Sequence, residues 1–243
     1  MSPSMQRVFA WSGVAYVTMV FGGALMAGLI PPISPHATAA QIASFWASHT
    51  NLKRVGIVIL VAGSGVQVPF GALIAVRVRR MEGRETPLTY VAVAAIALQV
   101  MSLLFPAMVY AAASFRPERN PEITQALNDL AWLPFVMNWE AAALQAGALG
   151  LAVFGQRGRE VFPRWSGYYN LWTAFLYSAG GFVVMFKTGV FAWNGLLAFW
   201  FVAVVFGSWF SITTWLLLKT VTSDDTVTSD DAVTSNDEGS LAR

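Results

Sequence analysis

Glu140 stands inside FVMNWEAAALQAG, residues 135 to 147, where its neighbours would make an uninterrupted hydrophobic helix. Three other hydrogen-bonding side chains occupy comparable positions in separate apolar runs: Gln67, Gln99 and Tyr177. At 1.5 Å of rise per residue, all four lie roughly 16 to 18 Å inside their runs. That depth is the middle of a hydrocarbon core about 30 Å thick. Polar groups are costly in hydrocarbon unless they meet, so the spacing predicts that the four face a common interior. No Lys, Arg or His reaches that depth, so Glu140 is expected to stay protonated and to donate to Gln67, Gln99 or Tyr177. Such an acid can release its proton when its surroundings rehydrate. The same four residues could equally form a hydrogen-bonded plug that only fixes helix register.

Ten tryptophans include three pairs spaced by seven: Trp132 and Trp139, Trp165 and Trp172, Trp193 and Trp200. In each pair the first ring falls near an interface and the second roughly 10 Å deeper. The shallow rings fit an aromatic belt. The deeper ones, Trp139, Trp172 and Trp200, fit either core packing or the wall of a pocket for a lipophilic or cationic ligand. Pro69, Pro106 and Pro134 interrupt the same runs and free backbone carbonyls, which is tolerated where they line protein or a cavity.

Other chemistries lack their residues. There is no cysteine, hence no disulfide, thiolate metal site or Cys nucleophile. His36 and His49 lie thirteen apart in one loop, outside any HxxxH or HExxH pattern, so neither a metal nor a haem is expected. No Walker loop, dinucleotide fingerprint or Ser-centred elbow is present, and no cofactor is expected. Gly22, Gly23, Gly63, Gly65, Gly180 and Gly181, with Ala142, Ala146 and Gly150 at four-residue steps, are read as close helix packing.

The elements that must position these residues are transmembrane helices. The chain is 56% hydrophobic and 12% charged, with its apolar residues in continuous runs, which excludes an ordinary soluble domain. Six runs are long enough to span: roughly 8 to 30, 55 to 76, 88 to 115, 129 to 155, 165 to 186 and 191 to 218. The expected fold is all-α, a polytopic bundle of six transmembrane helices occupying residues 1 to 219. The first run follows Arg7 as a signal peptide would, but it is longer than a typical h-region and has no clear cleavage site, so it reads as a retained helix.

In the first loop, Ile42, Phe45, Trp46 and His49 fall at helical spacing and predict a helix over about 38 to 50 on the membrane surface. In the next outer loop Pro121 and Glu122 suit the first turn of a short helix leading into the fourth span. Residues 220 to 243 repeat TVTSDD, TVTSDD and AVTSND, lack aromatics, and are expected to be a disordered acidic tail. Residues 1 to 219 hold fourteen basic against seven acidic side chains. Nine basic residues fall on one side (Arg7, Arg77, Arg79, Arg80, Arg84, Arg157, Arg159, Arg164 and Lys219) and five on the other (Lys53, Arg54, Arg116, Arg119 and Lys187). This bias predicts cytoplasmic N and C termini, and it is a topological signal rather than a footprint for nucleic acid.

From FRPERNPEITQALNDLAWL through FPRWSGYYNLWTAFLYSAGGFVVMFKTGVFAWNGLLAFW, the chain resembles a family of bacterial multi-helix integral membrane proteins of unassigned function. The resemblance extends over nearly all of residues 8 to 219 and implies a multi-pass protein of the bacterial plasma membrane. Three functions fit the residues. One is a carrier or binding protein for a lipophilic or cationic small molecule, with Glu140 exchanging a proton. A second is an isomerase or cyclase acting on a lipid or isoprenoid, with Glu140 as general acid, although no second acid lies at its depth. A third is a scaffold subunit. The expected partners are the lipid bilayer, a lipophilic small molecule and, for the scaffold, another membrane protein or further copies of the chain.

Overall fold

The computed structural model describes the backbone of residues 1 to 156 and 161 to 241, and side chains to residue 222 outside that gap. Arg157 and Arg159 lie outside the described residues, as do the side chains of the repeat tail beyond 222, on which the expectation of a disordered extension falls. The described chain is helical and contains no strand. The helices are α1 Pro3–Met26, α2 Ala39–Ala47, α3 Thr50–Glu82, α4 Pro87–Phe115, α5 Pro121–Met137, α6 Trp139–Gly155, α7 Arg164–Tyr177 and α8 Val202–Leu241. A 3₁₀ segment, Ser178–Met185, prolongs α7, and a π-helical segment, Leu196–Phe201, leads into α8.

Among the described residues, four stretches are long and apolar enough to cross a membrane: Pro3–Met26, Thr50–Glu82, Pro87–Phe115 and Leu196–Thr222. The run expected as one helix over 129 to 155 is divided at Asn138 between α5 and α6. Within α5, Pro134 has no N–H to donate to Leu130, four residues earlier, and so weakens the ladder just upstream of the break. The run expected over 165 to 186 narrows to a 3₁₀ coil after Tyr177.

Hydrogen bonds fix the alternation of helix directions. Arg77, near the end of α3, donates to Gln6 near the start of α1 at 2.6 Å. Arg54, near the start of α3, donates to the Ser114 and Phe115 carbonyls that end α4, at 2.9 and 3.0 Å. The Thr214 hydroxyl of α8 donates to the Ala10 carbonyl of α1 at 3.4 Å.

Helices α1 and α3 meet backbone to backbone. A Cβ on Gly56 would stand 2.5 Å from both the Gly23 oxygen and the Ala27 nitrogen, so only glycine fits. Gly150, whose Cβ would lie 3.0 Å from the Gly167 oxygen, sets a similar approach of α6 to α7. The packing role read from sequence therefore applies to Gly23, Gly63, Gly150, Gly180 and Gly181, with Ala146 also buried; Gly22 and Gly65 face open space.

The apolar face of helix α2 packs against protein through Ile42 and Trp46. Thr38 and Gln41 form a capping box at its start. The Trp46 indole donates to Asn128 of α5 at 3.2 Å, and its ring lies 5.7 Å from that of Tyr110. Lys53 completes the turn, its ammonium donating to the Phe45 and Ser48 carbonyls at 2.6 and 2.5 Å, where a cation complements the helix C-terminus.

Candidate ligand-binding cavity

Three irregular backbone segments converge on one cavity of about 160 Å³: the α5–α6 break, the α7 end of the 3₁₀ segment, and the π-helical turn before α8. Asn138, Trp139 and Ala142 line it from the break, Tyr177 from the end of α7, and Ala198, Phe199 and Val202 from the π turn and the start of α8. Tyr16 and Val20 of α1 and Gln99, Ser102 and Leu103 of α4 complete the wall. At the break, the Asn138 amide donates to the Ser102 carbonyl at 2.8 Å, so its side chain ties the interrupted backbone to α4. Gly180 and Gly181 let the 3₁₀ segment close on this point: a Cβ on Gly180 would meet the Val136 oxygen at 2.4 Å, and one on Gly181 the Trp139 indole nitrogen at 2.6 Å.

The wall is apolar apart from a few neutral polar groups, and among the described residues no Asp, Glu, Lys, Arg or His lines it. Gln99 donates to the Gln145 side-chain oxygen and to the Ala141 carbonyl, the latter at 3.3 Å. Ser102 returns its hydroxyl proton to the Leu98 carbonyl at 2.9 Å. Tyr177 is different. It is 3% exposed, and its hydroxyl has no hydrogen-bond partner among the described residues. A buried donor left without a partner costs on the order of 1 to 3 kcal/mol, the kind of deficit that an arriving acceptor offsets.

The predicted polar layer is present in part. Gln99 and Tyr177 both line the cavity, and Gln67, fully buried, lies beside Tyr16 and donates to the Ser64 carbonyl at 3.3 Å. Glu140 does not join them. It is exposed on the outer side of α6, in its first turn, and makes no side-chain hydrogen bond among the described residues. The inward place that the sequence reading gave to Glu140 belongs to Gln145, fully buried and bonded to Gln99. Asn138, two residues before Glu140, Tyr16, in the middle of the first run, and Ser102 are the other polar lining groups the sequence reading missed; each is a hydrogen-bonding side chain within an apolar run.

The tryptophans are also rearranged. Of the deeper rings only Trp139 lines the cavity, while Trp172 and Trp200 are 60% and 41% exposed. Trp132 and Trp193, expected near the membrane surface, are instead buried and stacked 6.2 Å apart in an aromatic core with Tyr110, Phe135 and Phe199. The Trp193 indole donates to the Ile33 carbonyl of the first loop at 2.8 Å.

No protein-family model, curated protein or solved structure matches the chain. The functional reading therefore rests on the cavity.

Proposed function

We propose that this chain is a multi-pass protein of a bacterial plasma membrane that binds a neutral lipophilic small molecule in the cavity at the helix interruptions. The observation that carries the reading is the largely apolar cavity itself, whose wall includes Tyr177 with a buried hydroxyl that has no partner among the described residues. A chamber of about 160 Å³ suits one ring or a short branched chain, because an apolar cavity of roughly 150 Å³ takes up benzene. The ligand would bring an oxygen to which Tyr177 donates once its ring turns toward the chamber, and Phe135, Trp139, Phe199 and Phe206 would enclose the apolar body with aromatic edges and faces.

The absence of a formal charge from the lining residues favours a neutral ligand over a cation, and it leaves the isomerase or cyclase reading without its acid. Proton exchange at Glu140 has no place in this proposal, since that side chain is exposed and is not among the residues lining the chamber. In the proposed topology the α5–α6 pair and α7 with its 3₁₀ extension cross the bilayer beside the four long spans, giving six crossings. Both termini and the loops bearing Arg84 and Arg164 would then be cytoplasmic. Helix interruptions beside a midplane site are a known arrangement in membrane carriers, where irregular backbone is tolerated only against protein or a cavity.

The test is to compare lipid extracts of the detergent-purified wild-type chain and its Tyr177→Phe and Ala142→Phe variants by mass spectrometry. A neutral oxygen-bearing lipid enriched with the wild type, reduced roughly tenfold by loss of the hydroxyl and absent when Ala142→Phe fills the chamber, is the expected result. Equal extracts from all three proteins, each with an unchanged melting temperature, would overturn the reading.

A further inference from the structure

Donors and acceptors are spread unevenly around the chamber. On the side of α4 and the α5–α6 break, the Gln99 amide nitrogen spends its two protons, one on the Ala141 carbonyl at 3.3 Å and one on the Gln145 side-chain oxygen. The Asn138 amide nitrogen donates to the Ser102 carbonyl at 2.8 Å, and the Ser102 hydroxyl gives its proton to the Leu98 carbonyl at 2.9 Å. A backbone carbonyl can only accept, so the bonds to Ala141 and Ser102 fix which end of each amide is nitrogen and which is oxygen. The two amide oxygens, Gln99 Oε1 and Asn138 Oδ1, accept no hydrogen bond among the described residues, although both side chains line the cavity. Neither is sealed in protein as the Tyr177 hydroxyl is, so each keeps accessible surface.

These acceptors lie close together. Gln99 and Ser102 are three residues apart on one face of α4, and Asn138 is bonded to Ser102. Most polar protons on this side are spent inside the protein while the oxygens stay open, so the side offers acceptors to a ligand. The side formed by α1 and α7 offers phenols instead. Tyr16 and Tyr177 line it, with Tyr16 beside the Gln67 amide, and a phenol donates as well as it accepts.

We infer that the ligand carries a hydroxyl, as a neutral lipophilic alcohol or phenol, and that Gln99 and Asn138 select it by accepting its proton while a tyrosine hydroxyl donates to its oxygen. This rests on the binding reading proposed for the chamber and names the chemical class of its ligand. A ketone or ester of similar shape satisfies the tyrosine but leaves the amide oxygens desolvated against carbon, and a site built around a hydrogen bond rejects the analogue that lacks it. A hydrocarbon leaves both sides unpaired. An ammonium group also donates, but among the described residues the wall has no carboxylate to balance its charge.

The test compares three ligands that share one ring and a two-carbon side chain: 1-phenylethanol, acetophenone and ethylbenzene. The purified chain in detergent micelles is loaded with tritiated 1-phenylethanol, and each unlabelled compound competes at concentrations corrected for its partition into micelles. Unlabelled 1-phenylethanol should displace the tracer at roughly tenfold lower concentration than acetophenone, with ethylbenzene weakest. Tyr177→Phe should weaken alcohol and ketone alike and leave their ratio unchanged, because it removes a donor that serves both. The double variant Gln99→Met/Gln145→Met deletes both halves of the buried amide pair, so that neither is orphaned, and should lower the ratio to about threefold, with Asn138 remaining. A ratio near one in a wild-type chain that binds the tracer saturably would overturn the inference and leave the binding reading standing. A ratio that collapses in Tyr177→Phe, or that the double variant leaves at its wild-type value, would also overturn it. Saturable binding of none of the three would overturn the binding reading and the inference together.

Discussion

Helix α6 carries two stripes with the same spacing, displaced by one residue. The inner stripe is Ala141, Gln145, Ala148 and Ala152; the outer stripe is Glu140, Leu144, Gly147 and Leu151. Each contains small residues and one side chain that can hydrogen-bond. The inner stripe is buried throughout, and its Gln145 is paired with Gln99 of α4. The outer stripe is open, and its Glu140 has no partner among the described residues. The difference shows that a polar residue in an apolar helix has two physical meanings: within the fold it is a satisfied cross-link, and on the outer face it is a cost until something covers it.

Bulk should separate the stripes most strongly. Ala148 sits in a small cluster with Ala75 and Ala92, and Ala148→Phe should cost about 2 to 3 kcal/mol by overpacking, read as an earlier midpoint in an SDS unfolding titration. Gly147→Phe, one residue away, should leave that midpoint nearly unchanged. Equal losses would erase the distinction between the faces.

The polar residues should differ in sign. Gln145→Leu leaves the buried Gln99 amide short of an acceptor and should destabilise the chain by about 1 to 3 kcal/mol. Glu140→Leu removes an outward acid at mid-height and should stabilise the chain by about 1 kcal/mol, a smaller effect because a neutral acid or one reaching water costs less than a fixed charge. A destabilised Glu140→Leu chain would mean that the acid has a partner inside the fold after all.

The sequence carried the depth of these groups better than their direction. Depth follows from a rise of 1.5 Å per residue, which survives modest irregularity, and Gln99 and Tyr177 do share a wall. Direction depends on the turn angle of 100° per residue accumulating without a break, and Asn138 breaks it two residues before Glu140. The run around Glu140 gave no compensating signal, because alanines at 141 to 143 make every face of that turn equally apolar. Pro134 did announce an irregularity, but it could not say that the helix would part four residues later, where the Asn138 amide bonds to α4.

The tryptophans failed for a related reason. Spacing by seven puts two rings on one side of a helix, yet which ring is covered depends on neighbours such as Trp193, stacked on Trp132 from 61 residues away. Close packing through glycine was legible where two backbones meet, at Gly23, Gly150 and Gly180. It was over-read at Gly22 and Gly65, whose surroundings are open.

Whether the chamber takes up a neutral lipophilic molecule can be measured by photolabelling the membrane-embedded chain with acetophenone, a neutral one-ring ketone whose excited carbonyl inserts into nearby C–H bonds. The account predicts adducts concentrated on cavity residues, Ala142 of α6 and Val202, Ala203 and Phe206 of α8 above all, and their loss in Ala142→Phe while outward positions such as Val58 and Val93 keep a low, unchanged background. Adducts spread over Val58, Val93 and the cavity residues at equal frequency, and unaltered by Ala142→Phe, would contradict it.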